Sequence, residues 1–169
     1  MIFIRPETPR DYEPIYELVQ KSFAQAEHCD GNEQDLVVKL RNSPAFIPEL
    51  SLVAEEDGQI IGYIMFSKLK IGGTVQLAVA PLAVLPRHRN RGIGGRLIKT
   101  GHQIARNLGY EFAVLLGYPE YYRRFGYLPA STFGIKCPFD VPDECFMALN
   151  LQNRKTFLNE TVEYPEAFL

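Results

Sequence analysis

Cysteine is scarce in this sequence: Cys29, Cys137 and Cys145 are odd in number, widely spaced and form no C-x-x-C pair. That pattern excludes a disulfide framework and a cysteine zinc site, and leaves buried or free thiols. A basic excess is missing as well. The formal net charge of −2 gives no global attraction to nucleic acid or anionic lipid, whose binders carry a marked positive surplus. No apolar run approaches the roughly 18 residues of a membrane span. Met1-Ile2-Phe3-Ile4-Arg5-Pro6 is too short an apolar run for a signal peptide, so a cytoplasmic chain with no membrane and no nucleic-acid partner is expected. Asn159-Glu160-Thr161 matches a glycosylation sequon, but without a secretory route it reads as chance. Internal repeats and low-complexity tracts are also lacking.

What is present is the balance of an ordinary globular protein. Apolar residues make up 46% and charged residues 22% of 169 positions, which suits one domain with one core. Residues 1–152 carry the readable pattern, and 153–169 read as a tail packed on or extending the same domain. Ile2 to Arg5 reads as a strand closed by Pro6 and Pro9, and Asp11 to Ala26 as a helix with Ile15, Leu18, Val19 and Phe23 on one stripe. Asn32 to Arg41 is a second helix capped by Asn32 or Asp30. Leu50 to Glu55 and Ile60 to Ile71 form a hairpin across Asp57-Gly58.

Val75 to Leu85 is almost wholly apolar, as befits a central strand buried on both faces, and Pro86 stops it. Gly92 to Leu108 is a helix ended by Gly109, Phe112 to Leu116 a strand, Pro119 to Phe125 a short helix, and Phe146 to Leu151 a late strand. The order β-α-α-β-β-β-α-β-α-β is a mixed α/β layout, with helices flanking a largely antiparallel sheet.

The most informative stretch runs Leu82-Ala83-Val84-Leu85-Pro86-Arg87-His88-Arg89-Asn90-Arg91-Gly92-Ile93-Gly94-Gly95-Arg96-Leu97. A buried strand enters a glycine-rich turn that opens a helix. The first turn of a helix has N–H groups without internal partners and the positive end of the macrodipole, so a phosphate is stabilised there. Glycines allow close approach, and Arg87, His88, Arg89 and Arg91 add a local cationic field to a slightly acidic chain. A Walker A loop is excluded because G-K-[ST] does not occur. The spacing of Gly92, Gly94 and Gly95 does not match a dinucleotide fingerprint.

Arg89, Gly92 and Gly94, after the strand end Leu82-Ala83-Val84-Leu85-Pro86, resemble the R/Q-x-x-G-x-G/A acetyl-CoA motif of GNAT acetyltransferases. Tyr122-Arg123-Arg124-Phe125-Gly126-Tyr127 is similar to that family's Y-x-x-[LF]-G-[FY] segment, in family order and at family spacing. The N-x-x-A-x-x-L lead-in of many members is replaced here by Leu116-Gly117-Tyr118-Pro119-Glu120-Tyr121. The resemblance implies a GNAT fold with splayed central strands over residues 2 to 151. It also implies acetyl-CoA as cosubstrate, no metal, and direct transfer to a small-molecule or peptide amine in a ternary complex. By motif, Leu82, Ala83, Val84, Arg89, Asn90, Arg91, Gly92, Ile93, Gly94 and Gly95 would bind the cosubstrate. Tyr122 would protonate the departing thiolate. A non-catalytic acyl-CoA-binding module is the alternative, and a homodimer stays open.

An N–H freed by a bulge in the central strand, expected at Val84 or Leu85, would meet the developing oxyanion. Glu33, Glu55, Glu56 and His28 are chemically able to accept the amine's proton, and none is assigned that role. Cys29 beside His28 does not form a nucleophile pair, because adjacent residues seldom face each other.

Overall fold

The computed structural model describes residues 1–24 and 31–169. The end of the expected first helix, and His28, Cys29 and Asp30, lie outside the described residues.

Two extended runs and a tight turn start the sheet. β1 (Ile2–Pro6) pairs antiparallel with β2 (Ser51–Glu56), which turns at Asp57 and Gly58 into β3 (Gln59–Ile71). Both turn residues are left-handed, φ 51° and 79°, the requirement of a two-residue type I′ hairpin. β3 pairs antiparallel along its length with β4 (Thr74–Val84). The sheet continues through β5 (Phe112–Leu116) and the late strand β8 (Phe146–Asn150) to the edge strand β6 (Leu128–Pro129).

The helices cover both faces. α1 (Tyr12–Phe23) buries Ile15, Leu18 and Val19, and α2 (Glu33–Arg41) runs back beside it, burying Val37 and Leu40. Tyr16 donates to Asp35 at 2.8 Å, and the Arg41 guanidinium lies 3.9 Å over the Tyr12 ring. The start of α2 therefore lies toward the C-terminal end of α1. Opposite, α3 (Ile93–Asn107) buries Ile93, Leu97 and Ile98 against β2 and β3. Gly62 permits this, since a Cβ there would stand only 3.0 Å from both Ile93 and Leu97. Cross-strand partners share a face, so Leu82 and Val84, opposite Ile64 and Gly62, point toward α3. Leu85 shares the other face with Leu18 of α1.

The central feature is a split in the sheet. β4 and β5 run parallel but are joined only at Leu77–Ala113 and Ala78–Val114, leaving the rest of β4 without that neighbour. One bulge in β4 lies opposite Met65: Phe66 pairs with Val79 and Ile64 with Leu82, so Ala80 and Pro81 together span one position. The bulge expected at Val84 or Leu85 therefore lies instead at Ala80 and Pro81.

After β5 the chain makes one α-turn, α4 (Pro119–Tyr122), continued by a 3-10 turn to Phe125 and closed by left-handed Gly126. The segment read as a patternless tail is structured: β9 (Glu160–Glu163) pairs with Lys70 and Ile71 of β3 and with the short strand β7 (Ile135–Lys136). Phe168 at its end packs against both clusters of the core. No helix among the described residues is long and apolar enough to cross a membrane.

Candidate active site

The site forms where β4 leaves the sheet. After Val84 the chain makes a 3-10 turn over Pro86–His88, then places Asn90 (φ 64°) and Gly92 (φ 78°) in the left-handed region on either side of Arg91. Such alternation gathers successive N–H groups into a concave anion-binding nest. The bond from Arg96 N–H to the Gly92 carbonyl, at 3.1 Å, opens the helix. Ile93, Gly94 and Gly95 therefore have N–H groups with no partner inside it. Gly94 and Gly95 carry no side chain into the cradle. At Gly94 a Cβ would lie 2.7 Å from the Tyr121 hydroxyl, and at Gly95 3.2 Å from the Phe125 ring. Backbone donors, a helix start and two close-fitting glycines suit a diphosphate.

The arginines of the loop do different work from that expected of a cationic field. Arg91 makes a two-point ion pair with Glu56, at 2.7 and 3.1 Å, and its Nη1 also reaches His88 Nδ1 at 2.8 Å. The loop is thereby clamped to the β2–β3 hairpin. Arg89 donates to the Ser22 carbonyl at 2.9 Å, in the last turn of α1, where a cation is favoured by the helix dipole. Ser22 in turn donates its hydroxyl to the Val84 carbonyl at 3.0 Å. Arg87 is exposed. Sequence reasoning missed Ser22 entirely, because a serine in the last turn of an amphipathic helix carries no signal of its distant partner.

The open edge of β4 is set by hydrogen-bond alternation. Leu85 N–H bonds the Ile61 carbonyl at 2.9 Å, so Leu85 and Ala83 face β3, while the N–H groups of Leu82 and Val84 turn toward the gap left by β5. Leu85 is therefore not a free donor, in contrast to the expectation for that residue. Ala83 is buried facing α1.

Two tyrosines follow β5 on α4. Tyr121 sits over Gly94, with the Arg124 guanidinium 5.3 Å from its ring centre. The Tyr122 ring lies over Gly117, at the end of β5, where any side chain would collide with it. The two rings meet edge to face, 5.0 Å apart. Burial pushes both hydroxyls above the ordinary tyrosine range, Tyr122 the more strongly, with neighbouring Tyr121 adding to the rise.

Of the carboxylates able to accept a proton, Glu55 is held by Arg5 at 2.8 Å and Glu56 by Arg91. Glu33, in the first turn of α2, keeps a buried Oε2 with no hydrogen-bond partner among the described residues. No cluster of three or more histidine, cysteine, aspartate or glutamate side chains fit to hold a metal occurs among the described residues.

The β4–β5 pair thus opens beside the start of α3, whose first amides have no partner inside the helix. The family model for the acetyltransferase (GNAT) domain matches residues 48–129. The uncharacterized N-acetyltransferase YhbS of Escherichia coli is 33% identical over 171 aligned residues, 99% of this chain and 98% of that protein. A second E. coli relative, the uncharacterized N-acetyltransferase YjhQ, is 36% identical over 127 residues, 70% of each chain. Among solved structures, a Brucella melitensis GNAT family acetyltransferase in complex with acetyl-CoA superposes with a TM-score of 0.84 at 34% identity, covering 100% of this chain and 99% of its own. E. coli YhbS in complex with CoA superposes with a TM-score of 0.86 at 33% identity, covering 99% and 91%. The chain belongs to the GNAT acetyltransferase family.

Proposed function

We propose that this protein transfers the acetyl group of acetyl-CoA directly to a primary amine within a ternary complex. The observation that carries the reading is the cradle from Asn90 to Gly95, with its unpaired N–H groups beside the open edge of β4. The diphosphate of the cosubstrate rests on that backbone. The pantetheine arm enters the gap and meets the N–H groups of Leu82 and Val84. Two similar structures, the Brucella melitensis acetyltransferase in complex with acetyl-CoA and E. coli YhbS in complex with CoA, support this reading.

The amine nitrogen attacks the thioester carbonyl, and negative charge builds on its oxygen. A β4 N–H facing the gap stabilises that charge, an effect of roughly 3 to 4 kcal/mol per well-placed donor. Collapse breaks the C–S bond, forms the amide, and leaves a thiolate that takes a proton from the Tyr122 hydroxyl. The raised affinity of that hydroxyl for its proton keeps it in the acid form at neutral pH. The proton lost by the amine passes to Glu33. Its buried Oε2, which has no hydrogen-bond partner among the described residues, and the position of the start of α2 toward the C-terminal end of α1 support that role.

Thiol release from acetyl-CoA, measured against a panel of small amines and peptides, tests the reading. CoA appearing with an amine and matched by amide product is expected; binding of acetyl-CoA with no turnover on any acceptor would favour a non-catalytic binding module. Tyr122→Phe keeps the ring and removes the donor, so kcat should fall by roughly 10²–10⁴-fold at little change in KM for acetyl-CoA. Tyr121→Phe should leave kcat within a few-fold of wild type.

A further inference from the structure

Beneath the tyrosine turn lies a buried polar pair that the chemistry above does not use. His102, on α3, is 3% exposed and Tyr127, just after left-handed Gly126, is 1% exposed. Their His102 Nε2 and Tyr127 hydroxyl are 2.9 Å apart. His102 also meets the Phe66 ring of β3 edge to face, at 6.0 Å between centres. A buried imidazole or a buried tyrosine hydroxyl is costly to leave without a partner, so each enforces the other's position.

Tyr127 is in turn joined to Tyr122 twice. Its N–H donates to the Tyr122 carbonyl at 3.3 Å, and the two rings meet edge to face at 5.8 Å between centres. A continuous chain of contact thus runs from α3, the helix that opens the phosphate cradle, through His102 and Tyr127 to Tyr122. Arg106, one turn on from His102, is the charged group that acts on the imidazole. Arg106 also draws the Tyr127 hydroxyl toward its ionised form, but burial outweighs that pull and holds the hydroxyl protonated, as burial does for Tyr122.

We propose that His102 and Tyr127 are positioning residues for Tyr122: their buried hydrogen bond ties the tyrosine turn to α3 and fixes the angle from which the Tyr122 hydroxyl meets the departing thiolate. The inference rests on the reading of Tyr122 as the proton donor. It gives the pair a function that packing alone does not require, since phenylalanine at 127 would fill the same space. A small displacement of a donor is costly in turnover while leaving cosubstrate binding, which depends on the cradle, unchanged.

Steady-state kinetics of four variants test this. Tyr127→Phe and His102→Leu should each lower kcat about 10-fold with KM for acetyl-CoA unchanged within about 2-fold. His102→Gln, whose amide can still meet the Tyr127 hydroxyl, should restore most of the rate. Adding Tyr127→Phe to Tyr122→Phe should change kcat by less than about 2-fold, because the donor being positioned is already gone. Wild-type kcat for Tyr127→Phe, or an equal loss in the Tyr122→Phe background, would overturn the proposal and leave the bond a purely structural one. Should His102→Leu fail to fold, Tyr127→Phe, which loses a single oxygen, carries the test. A Tyr122→Phe enzyme with full turnover would overturn both the donor assignment and its positioning. A silent Tyr127→Phe beside a crippled Tyr122→Phe overturns only the positioning.

Discussion

The Tyr121 hydroxyl lies 2.7 Å from the point where Gly94 would carry a Cβ, so the floor of the cradle and the tyrosine turn are fitted to each other at a single atom. A side chain at 94 must displace either the hydroxyl or the diphosphate. Gly94→Val is expected to abolish acetyl-CoA binding while the fold is retained, with Tyr121→Phe as the control that frees the collision. Titration calorimetry giving wild-type affinity for a folded Gly94→Val protein would place the diphosphate elsewhere.

The rate should show no alkaline limb from Tyr122 at ordinary pH. Burial raises its hydroxyl above the ordinary tyrosine value of 10.0, so the acid form persists up to and beyond that pH and only its loss would slow the protonation step. The kcat profile between pH 6 and about 10 should therefore rise or level as the amine deprotonates, without a fall. A decline in kcat beginning below about pH 9 that disappears in Tyr122→Phe would contradict the raised value.

His102 makes stability depend on pH in a defined window. Burial, assisted by Arg106, lowers its pKa from 6.5 to about 4, so between those values the unfolded chain binds a proton that the folded chain does not. Stability then falls as pH falls from 6.5 toward 4, by about 3 kcal/mol in total, and is unaffected by this group above 6.5. Asp11, held down to about 2 by its hydrogen bonds to Arg5, acts in a lower window. Urea midpoints of wild type should drop across pH 6.5–4, and His102→Gln should flatten that part of the curve. Parallel curves for the two proteins would rule the histidine out as the cause.

Gly101 should be intolerant of even one methyl group. A Cβ at this position on α3 would enter the Phe66 ring, which is fully buried. Alanine is ordinarily the better helix former by up to about 1 kcal/mol, yet overpacking of this kind costs about 1–3 kcal/mol. Gly101→Ala is expected to lower the thermal midpoint. An increase would show that Phe66 has room to move.

Much of this arrangement is legible in the chain itself, and the reasons for the exceptions are physical. The cradle was readable because glycine spacing, a strand end and a helix start lie within one short segment. Partners of its arginines were not: Arg91 meets Glu56 across 35 positions and Arg89 meets Ser22 across 67, and such pairings are created by the fold. Strand β9 has no readable period because only Val162 of its four residues is buried, too little alternation to mark a strand. The two-residue strands β6 and β7 carry no period at all. The bulge sits at Ala80 and Pro81 because residues 79 and 82 are already committed to Phe66 and Ile64, a matter of register that apolar composition does not encode. His102 carries no signal of its own in the sequence, because its partner Tyr127 stands 25 positions away and only the fold brings the two together.

The two-rung junction between β4 and β5 also sets a pattern in time. Amides locked in ladders on both sides of a strand surrender their hydrogens to solvent slowly, whereas those of Leu82 and Val84 face an unfilled slot beside an otherwise shielded strand. In deuterated water these two should exchange early, flanked by slow neighbours at Ala83 and Leu85, whose N–H groups point to β3. Filling the slot would convert this alternation of fast and slow into an unbroken slow run, a kinetic signature of occupancy written on alternate residues of one strand.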